Sequence, residues 1–156
     1  SARSGPVPRV VEARSLTDEY DQAAAMLRGW LDGDDAPETL GILVRTEQAG
    51  DQLVRALDER GIAVRFVQDK ALPAGKPVVM TMHRAKGMEF VRVLIFGADA
   101  AALPAAFAVK SLPPAEYQDA IQRERSLLYV AATRARDELV ILWTGEPSTL
   151  LPDAGA

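Results

Sequence analysis

Residues 40–67 read LGILVRTEQAGDQLVRALDERGIAVRFV. Leu40 to Arg45 is a short, nearly all-apolar run, the kind of strand that is buried on both faces. Ala49, Leu53, Ala56 and Leu57 then recur at helical spacing, and Gly61 closes that helix. Ile62 to Val67 reads as a strand again. Strand, helix and strand within 28 residues predict a parallel crossover unit.

The same alternation extends in both directions. Val7 to Ala13 reads as a first strand. Ser15 or Thr17 can cap the following helix, with Asp18 and Glu19 in its first turn, where the helix dipole favours acids. Tyr20, Ala24, Leu27 and Leu31 mark that helix, and Gly33 stops it. Beyond a turn-rich link, DKALPAGKP, Val78 to Met82 and Val91 to Phe96 are further buried strands. Residues 98–114 are an irregular connection rich in alanine and proline. Ala115 to about Arg134 fits a long helix through Tyr117, Ile121, Leu128 and Ala131, and Leu139 to Trp143 a last strand. The predicted fold class is α/β, a mainly parallel sheet covered by helices on both faces. In such sheets ligands bind at the carboxyl ends of the strands. Arg45, His83 to Gly87 and Arg134 are therefore expected to converge on one edge.

With 156 residues, 48% of them hydrophobic and 26% charged, the chain is expected to form one globular domain with a substantial core. The absence of cysteine excludes disulfides and thiolate metal sites. A lone histidine, His83, argues against structural zinc, and no metal ligands are assigned. No apolar run reaches the ~20 residues that span a bilayer, so a cytoplasmic protein without membrane contact is expected. Ser1 stands where a methionine would open a complete chain. Residues 1–6 are expected to be disordered or cloning-derived, 7–146 to form the domain, and 147–156 to be a flexible tail.

The net charge of −4 argues against a general nucleic-acid binder, but its distribution is uneven. Segments 76–92 and 121–136 hold eight of the 18 basic residues and two of the 22 acids, +6 against −10 for the remainder. Local charge sets the field that an approaching anion meets. The alternative is that surface arginines merely fall close together along the chain.

Two stretches in those segments carry chemistry. Residues 81–90 read TMHRAKGMEF, a small basic loop after an apolar strand. Residues 123–136 read RERSLLYVAATRAR, a helix ending on an arginine among small residues. TMHRAKGMEF resembles motif V of superfamily 1 helicases of the UvrD/Rep type, and RERSLLYVAATRAR resembles their motif VI. LGILVRTEQAGDQLVRALDERGIAVRF resembles the segment around motif IV. The motifs stand in the family's order, and the likeness covers most of residues 8–143. It implies the second, C-terminal RecA-like motor domain of an ATP-dependent DNA helicase, expressed alone or excised.

The resemblance assigns roles residue by residue. Arg134 would be the arginine finger: a planar, permanently charged guanidinium suits the charge that builds on a γ-phosphate. Its bland alternative is a surface arginine favoured by the helix C-terminus. Arg45 would be a second phosphate contact, or else a strand-end charge facing water. Gly87 would permit close backbone approach and Glu89 would meet the ribose hydroxyls, or be a solvated helix-start acid. Thr81, His83, Arg84 and Lys86 would face single-stranded DNA through its phosphates. His83 could instead be a structural histidine. Glu124 and Arg125 are expected to pair with each other and hold the helix of Arg134, and Tyr129 to pack.

The departures from the family pattern are also informative. Ser126 stands where motif VI often has a second arginine, and Arg84 where motif V commonly has a small residue. Only DKALPAGKPV separates motifs IV and V, so the family's large insertion is absent. No GxxxxGK(S/T) loop and no Walker B acidic pair occur in the chain. ATP would therefore lie between this domain and an N-terminal RecA-like motor domain of the same protein, which would supply the phosphate loop and the Mg2+ ligands. The chain alone is expected not to hydrolyse ATP, and the polarity implied is 3′ to 5′. The alternative is a non-catalytic RecA-like module that docks a DNA-repair partner.

Overall fold

The computed structural model describes residues 5–69 and 74–152. Six strands form one sheet among them: β1 (Arg9–Ala13), β2 (Leu40–Val44), β3 (Arg65–Phe66), β4 (Val78–Thr81), β5 (Phe90–Ile95) and β6 (Ala135–Thr144). Their spatial order is β1-β6-β5-β2-β4-β3, and every pairing is parallel. The helices are α1 (Leu16–Leu31), α2 (Glu47–Glu59), α3 (Ala106–Val109) and α4 (Pro114–Ala132). The chain has the α/β architecture expected of a RecA-like domain.

Local signals account for most boundaries. The Ser15 hydroxyl accepts from the Asp18 amide at 3.0 Å and starts α1; Thr46 does the same for α2 through Ala49 at 3.1 Å. Pro114 opens α4 at a position whose N–H has no helical partner. β2 and β4 are buried at every position, as strands covered on both faces must be. The third strand is shorter than its sequence predicts: only Arg65 and Phe66 pair with β4. It lies at the sheet edge, where one neighbour rather than two can hold it.

The sheet divides the core in two. On one face α1 and α2 close over Ile42, Val44, Val79, Leu94, Val140 and Leu142. On the other, α4 and residues 82–88 close over Leu43, Met80, Phe90, Val93, Leu139 and Ile141. Each fully buried side chain of this size stabilises the fold by about 1.5–3 kcal/mol relative to exposure. Phe90 lies flat against Gly41 of β2, where a Cβ would come within 2.8 Å of its ring.

The end of the domain lies later than residue 146. Ser148 and Leu150 are buried, the Ser148 amide donates to the Ala98 carbonyl at 2.9 Å, and its hydroxyl donates to the Leu103 carbonyl. Residues 147–152, assigned to the tail on sequence, thus pack beneath the 98–103 segment. Residues 1–4, 70–73 and 153–156 lie outside the described residues, and with them most of the expected N-terminal segment, part of the 69–77 link and the end of the tail.

Candidate nucleotide and nucleic-acid site

The register of the sheet separates the candidate residues into two groups. Val44 lies opposite Thr81, so Arg45 and His83 follow the carboxyl ends of β2 and β4. Phe90 pairs with Ala135, and Leu40 lies opposite Arg92, so Glu89 and Arg134 precede the amino ends of β5 and β6. α4 connects the two ends. Eight residues separate Glu124, which reaches Arg45, from Ala132, about 12 Å along the helix axis. The expected convergence of Arg45, His83 and Arg134 on one edge does not occur. The reason is directional: α4 runs back across the sheet, so a residue at its end arrives at the opposite edge from the strand ends.

Arg134 and Met88 define the amino-edge group. The guanidinium is half-buried and donates Nη1 to the Met88 carbonyl at 3.1 Å, Nε to the Val130 carbonyl at 3.1 Å and Nη2 to the Thr133 hydroxyl at 3.0 Å. The Phe90 amide donates to the Arg134 carbonyl at 2.8 Å. Gly87, with φ of 84°, turns the chain immediately before this clasp, in a conformation that side chains rarely adopt. Glu89 is exposed beside it, and the Arg136 guanidinium two residues beyond Arg134 is bound by Asp137, whose bonds raise its pKa with a smaller effect of the Glu89 charge.

The carboxyl-edge group is built around an ion pair. Arg45 donates Nε and Nη2 to the two carboxylate oxygens of Glu124 at 3.0 and 2.7 Å. Arg45 is 8% exposed and Glu124 4%. Burial pushes the Glu124 carboxyl up, but bonds from Arg45 and from the Ala105 amide, 2.9 Å away, outweigh it and hold it below the usual range. A carboxylate therefore occupies the fork of Arg45 that the sequence reading reserves for phosphate. Glu124 pairs with Arg45 and not with Arg125, whose Nη1 goes to Gln122 at 3.0 Å. On α4, positions 124 and 125 diverge by about 100°, and only the first faces the sheet.

Thr81 is also less open than expected. It is buried, its hydroxyl accepts from the Arg84 amide at 3.3 Å, and its carbonyl accepts from Ala85 at 3.1 Å. It shapes the loop rather than lining its surface. His83, Arg84, Lys86 and Gly87 are exposed on that loop. Burial and the nearby Arg45 charge lower the His83 pKa, against a smaller opposing effect of Glu124.

Two hollows meet at His83 and Lys86. One, of about 570 Å³, is lined by Glu47, Asp69, His83, Arg84 and Lys86. The other, of about 460 Å³, runs between the loop and α4 past Arg45, His83, Lys86, Arg123, Glu124 and Ser126. Arg123 belongs to the basic segment 121–136 but carries no assigned role from the sequence, and Phe107, which lies against Arg45, has none either. The one available signal was an aromatic residue in an otherwise alanine-rich connection. Among the described residues no cluster of three or more His, Asp or Glu side chains is placed to hold a metal ion, and no helix is long and apolar enough to cross a membrane.

Residues 74–146 match the family model of the UvrD-like helicase C-terminal domain. The chain is 38% identical over 88 residues to the ATP-dependent DNA helicase Rep of Buchnera aphidicola subsp. Schizaphis graminum, covering 56% of this chain and 12% of that protein. It is 37% identical over 90 residues to the ATP-dependent DNA helicase PcrA of Staphylococcus aureus strain Mu50, covering 54% of this chain and 12% of that protein. The crystal structure of the C-terminal domain of a possible DNA helicase from Lactobacillus plantarum WCFS1 superposes with a TM-score of 0.72 at 26% identity. That superposition covers 94% of this chain and 79% of the other. The chain thus spans about an eighth of the length of the full-length helicases it matches.

Proposed function

We propose that this chain, which carries a UvrD-like helicase C-terminal domain, is the second half of an ATP-driven motor that moves along single-stranded DNA in the 3′ to 5′ direction. The N-terminal motor domain of the same protein supplies the phosphate-binding loop and the Mg2+ ligands. The nucleotide lies between that domain and the amino-edge group. Arg134 swings from the Met88 carbonyl to the γ-phosphate, with Glu89 near the ribose and Gly87 giving the backbone room to approach. The DNA phosphates meet His83, Arg84 and Lys86 at the other edge, while Thr81 holds their loop in shape.

The observation that carries this reading is the Arg134–Met88 clasp. It ties the end of α4 to the segment bearing Gly87 and Glu89, so three nucleotide-type residues share one edge. Arg45 takes a different part from the one its sequence context implies. Its fork is filled by Glu124, so it positions α4 and the groove rather than touching phosphate. ATP favours the closed pair of domains because it contacts both, and hydrolysis removes that preference.

The test is reconstitution. The chain alone should show no ATP turnover. Mixed with the upstream part of its own protein, it should restore turnover that single-stranded DNA stimulates. Turnover by the chain alone, or no effect of adding it to the upstream part, would overturn the proposal.

A further inference from the structure

The exposed ring of Phe107 has a defined orientation. Single exposed apolar side chains are common on protein surfaces; what sets this ring apart is its contact with a buried ion pair beside a charged groove. Phe107 is 73% exposed, and the Arg45 guanidinium carbon lies 5.2 Å from its ring centroid. That contact occupies one face of the ring. Glu124 fixes the arrangement from both sides, because the same carboxylate grips Arg45 and accepts from the Ala105 amide, two residues before Phe107. The ring is therefore held in place by a buried ion pair, with the rest of its surface open.

Its setting is electropositive. The one carboxylate lining the adjoining groove, Glu124, is paired with Arg45, so Lys86 and Arg123 set its formal charge at +2. A cationic track beside an upright aromatic face is the combination that holds single-stranded nucleic acid: phosphates take the charge, and a base stacks on the ring. A protein segment would need acidic side chains to suit the same groove; a DNA strand carries one charge per nucleotide throughout.

We infer that Phe107 is a stacking platform for a base of the bound DNA strand, preoriented by the Glu124–Arg45 pair, with the neighbouring phosphates in the groove of His83, Lys86 and Arg123. This rests on the proposed DNA-binding reading of the groove and adds a base contact to it. Stacking on a ring is tolerant of sequence, so the platform grips every base alike.

The experiment measures binding of the full chain to a labelled oligothymidylate at low salt, and to a backbone of the same length lacking bases. Phe107→Ala and Phe107→Leu should weaken oligothymidylate binding about 5- to 100-fold, and Phe107→Trp should preserve it. None of the three should change binding to the base-free strand. Unaltered oligothymidylate affinity in Phe107→Ala overturns the platform and leaves the groove reading standing; that is also the result if the ring serves a protein partner. Equal losses on both strands overturn it in favour of a structural role. Failure of the unsubstituted chain to bind either strand overturns the groove reading, and the platform with it.

Discussion

Nη1 of Arg134 lies 3.1 Å from the carbonyl oxygen of Met88, 46 residues earlier in the chain. It is one of three bonds that the half-buried guanidinium makes, all of them to neutral oxygens. A γ-phosphate is a stronger acceptor and can take the same fork. In the reconstituted motor, Arg134→Ala should lower ATP turnover by about 10³-fold or more, with a loss of stability of about 1.5–3 kcal/mol. Arg134→Lys should not restore it, since an ammonium lacks the planar fork. Normal turnover in Arg134→Ala would remove the finger assignment.

Glu124 and Arg45 form a buried, two-pronged pair, and truncating one partner leaves the other charge stranded. Glu124→Ala should destabilise the chain by about 3–5 kcal/mol. At roughly 2–4 °C per kcal/mol for a domain of this size, thermal unfolding should fall by at least about 6 °C. Because the Glu124 carboxyl is held below its ordinary value of 4.5, its contribution is complete above that pH and is lost as pH falls below it. Glu124→Gln should therefore flatten the acid limb of the stability profile. An unchanged limb would show that the pair contributes nothing.

Gly41→Ala should destabilise by about 1–3 kcal/mol through overpacking against Phe90. The opposing atoms belong to a ring sealed in the core, so they have little room to retreat. Phe90→Leu in the same chain should recover part of the loss. Chemical denaturation of the single and double variants measures this; additive losses would mean that the two residues do not press on each other.

Glu19 is fully buried on α1, where its Oε2 accepts from the Gly97 amide at 2.9 Å and its Oε1 has no partner. Burial, and then the nearby Asp99 charge, push its pKa up to about 7 despite the Gly97 bond. A carboxyl whose folded pKa is raised favours the fold below its unfolded value of 4.5 and loses that contribution as pH rises through about 7. Glu19→Gln should thus raise the free energy of unfolding more at pH 8 than at pH 5, by an amount on the order of 1–3 kcal/mol. Equal effects at both pH values would show that the carboxyl is ionised throughout.

The strands and long helices were legible because their signals are local. Apolar runs such as LGILV and the spacing of Leu53, Ala56 and Leu57 depend on neighbours in the chain. α3 was not legible, since its four residues carry no period. The site was legible in its membership more than in its geometry. The family likeness groups Arg134, Gly87 and Glu89, and these lie on one edge. Arg45, which the likeness groups with them, lies on the other, because sequence gives the position of a residue along an element but not the direction in which that element crosses the sheet. Glu19 was read as a first-turn acid, which it is; nothing local distinguishes such an acid in solvent from one pressed beneath Gly97. The partner of Glu124 stands 79 residues away, and a neighbouring arginine in sequence was the natural but wrong candidate.

Residues 82–89 leave β4 at one margin of the sheet and enter β5 at the other, roughly 20 Å back along the strands. Internal turn bonds, Ala85 to Thr81 and Met88 to Ala85, keep the segment compact, and Ala85 is sunk into the core midway. The segment is thus a tie rod with a bearing at its centre. His83 and Gly87 therefore ride on one short body, four residues apart, that reaches from the rim of the groove to the clasp at the opposite margin.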